Sequence, residues 1–119
     1  MNIHESAEDY LETIMMLQEE KGYVRSVDIA ARLNVTKPSV SFAMKRLREN
    51  GFILMDEENL ITLTEQGAGI ARRIYERHKV LASFLTQIGV DAKTAREDAC
   101  KIEHDISQAT FEAIKNQLN

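Results

Sequence analysis

The sequence is almost without cysteine and proline, with one of each in 119 residues, and it has no tryptophan. A single thiol, Cys100, closes no internal disulfide, which excludes a disulfide-stapled scaffold and leaves a reduced thiol, a bridge between chains or a metal ligand. One proline and five glycines suit a soluble, helix-rich protein and argue against disorder. No apolar run approaches the ~18 residues that a membrane span requires. The opening MNIHESAEDY lacks the basic and apolar regions of a signal peptide, so the expected compartment is the cytoplasm, without a membrane partner. There is no glycine-rich phosphate loop, no HExxH helix and no internal repeat. An excess of positive charge is missing too: the net charge of −4 argues against a protein that coats nucleic acid indiscriminately.

What is present is a helix-rich globular composition, 44% hydrophobic and 29% charged, long enough for one ordinary domain or two small lobes. The charge is unevenly placed. Residues 23–50 carry Arg25, Arg32, Lys37, Lys45, Arg46 and Arg48 against Asp28 and Glu49, a local +4 that leaves −8 for the remainder. One surface is thereby suited to phosphate and another to a cation.

Periodicity and punctuation predict the elements. Residues 5–20 set Tyr10, Leu11, Ile14 and Leu17 at helical spacing, with Gly22 as the stop. Ser26 is the expected cap of a short helix through Leu33, and Asn34 suits the left-handed turn that ends it. Thr36 caps a third helix with Pro38 in its first turn, and Val40, Ala43, Met44 and Leu47 form the inward stripe. The opposite face presents Thr36, Lys37, Ser39, Ser41, Phe42, Lys45 and Arg46, hydroxyls and cations that reach phosphates and base edges. FILM and LITLT around DEEN read as a β-hairpin. Two helices joined by a tight turn and followed by a hairpin make a winged helix-turn-helix, in which the third helix enters the major groove. The acidic hairpin tip is ill suited to gripping phosphate.

Thr64 then caps a long helix over 65–88, with Ile70, Ala71, Ile74, Leu81, Phe84, Leu85 and Ile88 apolar and Gly89 ending it. Asp91 caps the next, where Ala95, Ala99, Ile102 and Ile106 form the expected core stripe and Cys100, Glu103 and His104 flank it. Ser107 opens a last segment with Phe111, Ile114 and Leu118 at helical spacing. The expected architecture is mainly α with a small β-hairpin: a winged helix-turn-helix over residues 1–64, followed by a helical metal-binding and dimerisation region over 65–119.

Residues three and four apart share a helix face, so the stretch ACKIEHD could gather a thiol, a carboxylate and an imidazole at one point. A lone cysteine is more commonly a small buried hydrophobe. Asp9 and Glu12, also three apart, have an alternative explanation as acidic residues near a helix N-terminus. His78 within RRIYERHKV reads equally as a surface residue, and His4 as a terminal one.

EDYLETI, DIAARLNVTKPSVS, ITLTEQG, RHKVLASFL and CKIEHD together resemble the metal-dependent repressors typified by the diphtheria toxin repressor and the manganese transport regulator, and the resemblance spans essentially the whole chain. It implies a metal site of Asp9, Glu12, His78, Glu103 and His104, completed by Cys100, where manganese-type members have Glu and iron-type members Cys. The iron-type ancillary site is broken, because its Glu and second His positions hold Ala82 and Arg96. The resemblance also implies a homodimer on a palindromic double-stranded operator, with no small-molecule substrate. Thr36, Lys37, Pro38, Ser39, Ser41, Phe42, Lys45 and Arg46 are expected at the groove, with Arg25 and Ser26 on phosphates. Longer members carry a C-terminal SH3-like domain that has no counterpart before Asn119.

Carboxylates suit Mn2+, imidazole suits Fe2+ and Zn2+, and a thiolate pulls toward softer ions. The donor set leans to Fe2+ over Mn2+, while Zn2+, Co2+ and Ni2+ are expected to bind at least as tightly in vitro. The expected mechanism is linkage, in which an ion fixes the separation of two recognition helices near one DNA turn, ~34 Å. Two rival readings are a Cys100–His104 or metal-dependent hydrolase and a thiol redox sensor built on Cys100. The hydrolase lacks an oxyanion-forming loop, and a thiol and imidazole one turn apart on one helix point side by side.

Overall fold

The computed structural model describes residues 5–118, so His4 lies outside the described residues. The chain divides into two units, Met1–Arg72 and Arg73–Asn119. The elements are α1 (Glu5–Lys21), α2 (Ser26–Leu33), α3 (Lys37–Glu49), β1 (Ile53–Met55), β2 (Ile61–Leu63), α4 (Glu65–Gln87), α5 (Ala92–Ile102) and α6 (Gln108–Asn116). The division falls inside α4.

The first unit is the winged helix. Its core joins Leu11, Ile14 and Leu17 of α1 to Val24, Ile29, Val40, Met44, Leu47, Phe52, Ile53, Ile61 and Ala71, each buried. Asn34 closes α2 in the left-handed conformation (φ 55°, ψ 48°), where Asn carries less penalty than most residues. Thr36 Oγ1 accepts from the Ser39 amide at 3.2 Å, fixing the first turn of α3. The cap of α2 differs from expectation. Ser26 is already helical, and the Asp28 carboxylate reaches back to the Arg25 backbone amide at 2.9 Å. A carboxylate at the third helical position is the returning half of a capping box, and here it also holds Lys21 at 2.8 Å.

β1 and β2 pair antiparallel with Leu54 opposite Thr62. The acidic tip has a structural use, since Asp56 Oδ1 accepts from the amides of Glu58 and Leu60 at 2.8 and 2.9 Å and Asn59 supplies the positive φ of the turn. The hairpin feeds α4 through Thr64, whose hydroxyl donates to Gly51 O at 2.7 Å and accepts from the Gly67 amide at 3.1 Å. Gly67 is required by close approach: a Cβ there would lie 2.0 Å from the Phe52 carbonyl oxygen.

In the second unit Ile74 and Leu81 of α4, Ala95 and Ala99 of α5 and Phe111 of α6 are buried. Asp91 and Ser107 cap α5 and α6 by accepting from the amides of Thr94 and Thr110. Three expectations are corrected. Ile88 is 63% exposed, because α4 stops at Gln87 and the chain turns at Gly89 with φ 109°. Ile102 and Ile106 are only partly buried. α5 ends at Ile102, so Glu103 and His104 stand in the turn that follows, and Glu103 is wholly buried instead of flanking the stripe.

Candidate metal centre and nucleic-acid face

α4 and the end of α5 bring His78, Cys100 and Glu103 together, with one ligand atom from each lying within 4.8 Å of the others. His78 Nδ1 is 3.0 Å from Glu103 Oε1 and 3.8 Å from Cys100 Sγ. An imidazole next to the thiol is thus His78, from another helix. Cys100 is exposed, which removes its reading as a core hydrophobe.

Charge makes the cluster unusual. Glu103 is fully buried, one oxygen meets His78, and Oε2 is buried without a hydrogen-bond partner. Leaving a buried carboxylate oxygen unpaired is costly, and a cation removes that cost. The Cys100 sulfur and then the Glu103 carboxylate hold the His78 imidazolium well above its ordinary range, at about 10, against the opposing effect of burial. A sulfur, a nitrogen and an oxygen at such spacing, with one oxygen unpartnered, fit a first-row divalent ion.

The other expected ligands stand as follows. His104 is half-buried and is not a member of the three-residue group. In the first unit α1 carries Asp9 half-buried and Glu12 only 6% exposed, with Glu8 at 8%. Buried carboxylates exceed what a helix dipole asks of its first turns. Sequence reasoning passed over Glu8.

It also passed over Arg77, buried beside His78 on α4. Its guanidinium donates from Nη1 to the carbonyls of Glu103 and Ile106 at 3.1 and 3.0 Å and from Nη2 to Gln108 Oε1 at 2.9 Å. The same group lies 5.4 Å from the Phe111 ring centroid. Nothing in YERHKV distinguishes a buried arginine from a solvated one.

On the first unit, Thr36, Lys37, Pro38, Ser39, Ser41, Phe42, Lys45 and Arg46 are all exposed, while Val40, Met44 and Leu47 between them are buried. The expected nucleic-acid set is therefore one outward face of α3. It has no acidic residue in its first turn, which leaves that end free for phosphate. Phe42 is 63% exposed, and the Arg46 guanidinium lies 5.7 Å from its ring centroid. Thr36 and Ser39 have a prior engagement, with their hydroxyls bonded to each other at 2.8 Å. Arg25 is exposed and Ser26 half-buried. Arg25 and Lys21 each lie 5.7 Å from the exposed Tyr23 ring, an aromatic that the sequence reading did not single out.

Among the described residues no helix is long and apolar enough to cross a membrane. A family model described as the iron dependent repressor, N-terminal DNA binding domain, matches residues 2–59. A second, described as the iron dependent repressor, metal binding and dimerisation domain, matches residues 64–119. The transcriptional regulator MntR of Salmonella typhimurium is 42% identical over 110 residues, 92% of this chain and 70% of its own length. The HTH-type transcriptional regulator MntR of Bacillus subtilis is 38% identical over 109 residues, 92% of this chain and 77% of its own. The solved structure of the manganese regulator SloR superposes with a TM-score of 0.84 at 29% identity, covering 100% of this chain and 55% of that one. The chain thus spans about half the length of that structure.

Proposed function

Because this chain belongs to the iron-dependent repressor family of metal-dependent transcriptional regulators, we propose that it represses metal-homeostasis genes in the cytoplasm as a homodimer on a palindromic operator, released from DNA when its metal is lost. The observation that carries the metal half is the His78–Cys100–Glu103 cluster, with its donor atoms within 4.8 Å and the buried Glu103 Oε2 unpartnered. His78, Cys100 and Glu103 form the heart of the site, and Asp9, Glu12 and His104 complete it on the strength of the resemblance. Residues 1–64 read DNA and 65–119 bind metal and dimerise.

A divalent ion would be held by the His78 imidazole, the Cys100 sulfur and the Glu103 carboxylate, and would supply charge to the Glu103 Oε2 that has no hydrogen-bond partner. To ligate through Nδ1, His78 would give up the proton on that nitrogen. On the strength of the resemblance, Asp9 and Glu12 of α1 would be further donors, and metal binding would bias the dimer toward the spacing that two half-sites need. On DNA, Lys37, Lys45 and Arg46 neutralise phosphates, the first-turn amides of α3 donate to them, and Phe42 and Ser41 face the base edges.

Two lines bear on the metal. The Cys100 thiol favours Fe2+, whereas relatives named MntR and the manganese regulator SloR favour Mn2+, and we place Mn2+ first with Fe2+ as the alternative. Zn2+, Co2+ and Ni2+ enter in vitro. The test is a mobility-shift titration on operator DNA with and without metal and chelator. Tight binding only with metal is the expected result, and equal affinity of both forms would overturn the reading.

The exposure of Cys100 and its 3.8 Å approach to His78 Nδ1 support one rival, a thiol redox sensor. Loss of DNA binding on peroxide treatment of protein already stripped of metal is the outcome specific to it.

A further inference from the structure

α5 ends without the usual signal. No Gly or Asn follows Ile102, and Glu103 keeps a right-handed helical conformation (φ −57°, ψ −25°), so the turn from Glu103 to Ser107 has no left-handed residue to close it. A cation from another helix takes that place. The Arg77 guanidinium closes the end of α5 by donating to Glu103 O at 3.1 Å, then spans the turn to Ile106 O at 3.0 Å and the side chain of Gln108, the first residue of α6, at 2.9 Å. A cation at a helix C-terminus also meets the negative end of the dipole.

The position of this clamp matters more than its strength. Arg77 and His78 are neighbours on α4 and hold the same residue. His78 meets Glu103 by its carboxylate and Arg77 meets it by its backbone. A carboxylate whose main chain and side chain are both tied has few rotamers left, which is what a ligand needs before its ion arrives. His104 is the next residue along the same clamped segment.

We infer that Arg77 is a positioning residue of the metal centre, presetting Glu103 and His104 as ligands and joining α6 to them through Gln108. The inference rests on the proposal that the cluster binds metal. Lysine is a point charge and does not serve two carbonyls and an amide oxygen in one plane, so both Arg77→Lys and Arg77→Met relax the clamp.

The test uses the full chain and Co2+ as probe. Affinity is read by competition with a chromophoric chelator, and ligation of Cys100 is read from thiolate-to-Co2+ charge-transfer absorption. Both are measured at a temperature where circular dichroism shows each variant folded. A lost outer partner of a metal ligand typically costs about 10–100-fold in affinity. The expected result is a loss in that range for Arg77→Met and a smaller loss for Arg77→Lys, with the charge-transfer band kept and the ligand-field bands shifted, because Glu103 and His104 move while Cys100 stays. Should Arg77→Met not fold, Arg77→Lys with its retained charge decides alone. A folded Arg77→Lys protein with wild-type Co2+ affinity and spectrum overturns the inference, as does a lowered melting temperature with unchanged affinity. Failure of the wild-type protein to bind Co2+ would overturn the underlying metal reading instead.

Discussion

His78 and Glu103, 25 residues apart in the chain, meet at 3.0 Å, an imidazolium donating to a carboxylate that is 0% exposed. The pair lies at the centre of the proposed metal site, with the imidazole in its protonated form. With His78 raised to about 10 by the Cys100 sulfur and Glu103, its proton has to leave when metal binds.

Metal binding is therefore expected to release the His78 proton near neutral pH and to tighten as pH rises, by up to tenfold per unit from this group alone. Calorimetry in buffers of different ionisation enthalpy counts the protons. The sign is opposite for stability of the metal-free fold. A raised folded pKa contributes in full below the unfolded value of about 6.5, and the contribution is lost as pH climbs through about 10. A metal-binding enthalpy at pH 7 that is independent of buffer would count against a protonated His78.

Cys100→Glu should move selectivity toward Mn2+. A carboxylate replaces the soft donor at an exposed edge of the cluster, so little packing is disturbed and the change is chiefly one of ligand type. The ratio of Mn2+ to Co2+ affinity is the readout, with an expected shift of about tenfold or more toward Mn2+. An unmoved ratio would show that Cys100 is not a ligand.

The helices were legible because their ends are written in single residues: Asn34, Thr36, Asp91 and Ser107 act where their side chains predict. Ser26 misled because the returning carboxylate of Asp28 occupies the Arg25 amide, and a sequence does not rank two competing caps. Cys100 and Glu103 were visible from their spacing, and His78 was brought to them by resemblance alone, since α4 and α5 are separate helices. The full burial of Glu103 was not visible, because the helix that would place it on a flank stops one residue earlier. Arg77 was hidden for a different reason. Two of its acceptors are main-chain carbonyls, which every residue has and no sequence pattern records.

Asp28→Ala should cost about 1 kcal/mol of stability at pH 7, the usual worth of a capping side chain. The Asp28 carboxyl is held below its ordinary range by the bond from Lys21, with the Arg25 amide adding to it. A depressed folded pKa gives stability that is present above the unfolded value of about 3.9 and lost as pH falls through the folded one. The melting temperatures of wild type and variant should accordingly converge below pH 4, and a gap that persists there would mean that Asp28 acts through packing instead.

Phe42 and Lys45, both exposed on α3, should weaken operator binding in different ways. Lys45→Ala removes a phosphate partner, so the slope of log K against log salt falls by about 1, and the loss is nearly the same on unrelated DNA. Phe42 has neither donor nor acceptor, and the apolar feature that the major groove offers it is the thymine methyl. Phe42→Ala is expected to leave the salt slope alone and to lower operator affinity by about 1–2 kcal/mol, roughly 5–30-fold, with little change on unrelated sequence. Arg46 lies over the Phe42 ring, so the double variant tests whether the guanidinium is held in place by the ring. A coupling of about 0.5 kcal/mol or more in the cycle is expected of an exposed cation–π pair, and additive losses would mean that the two residues touch DNA independently.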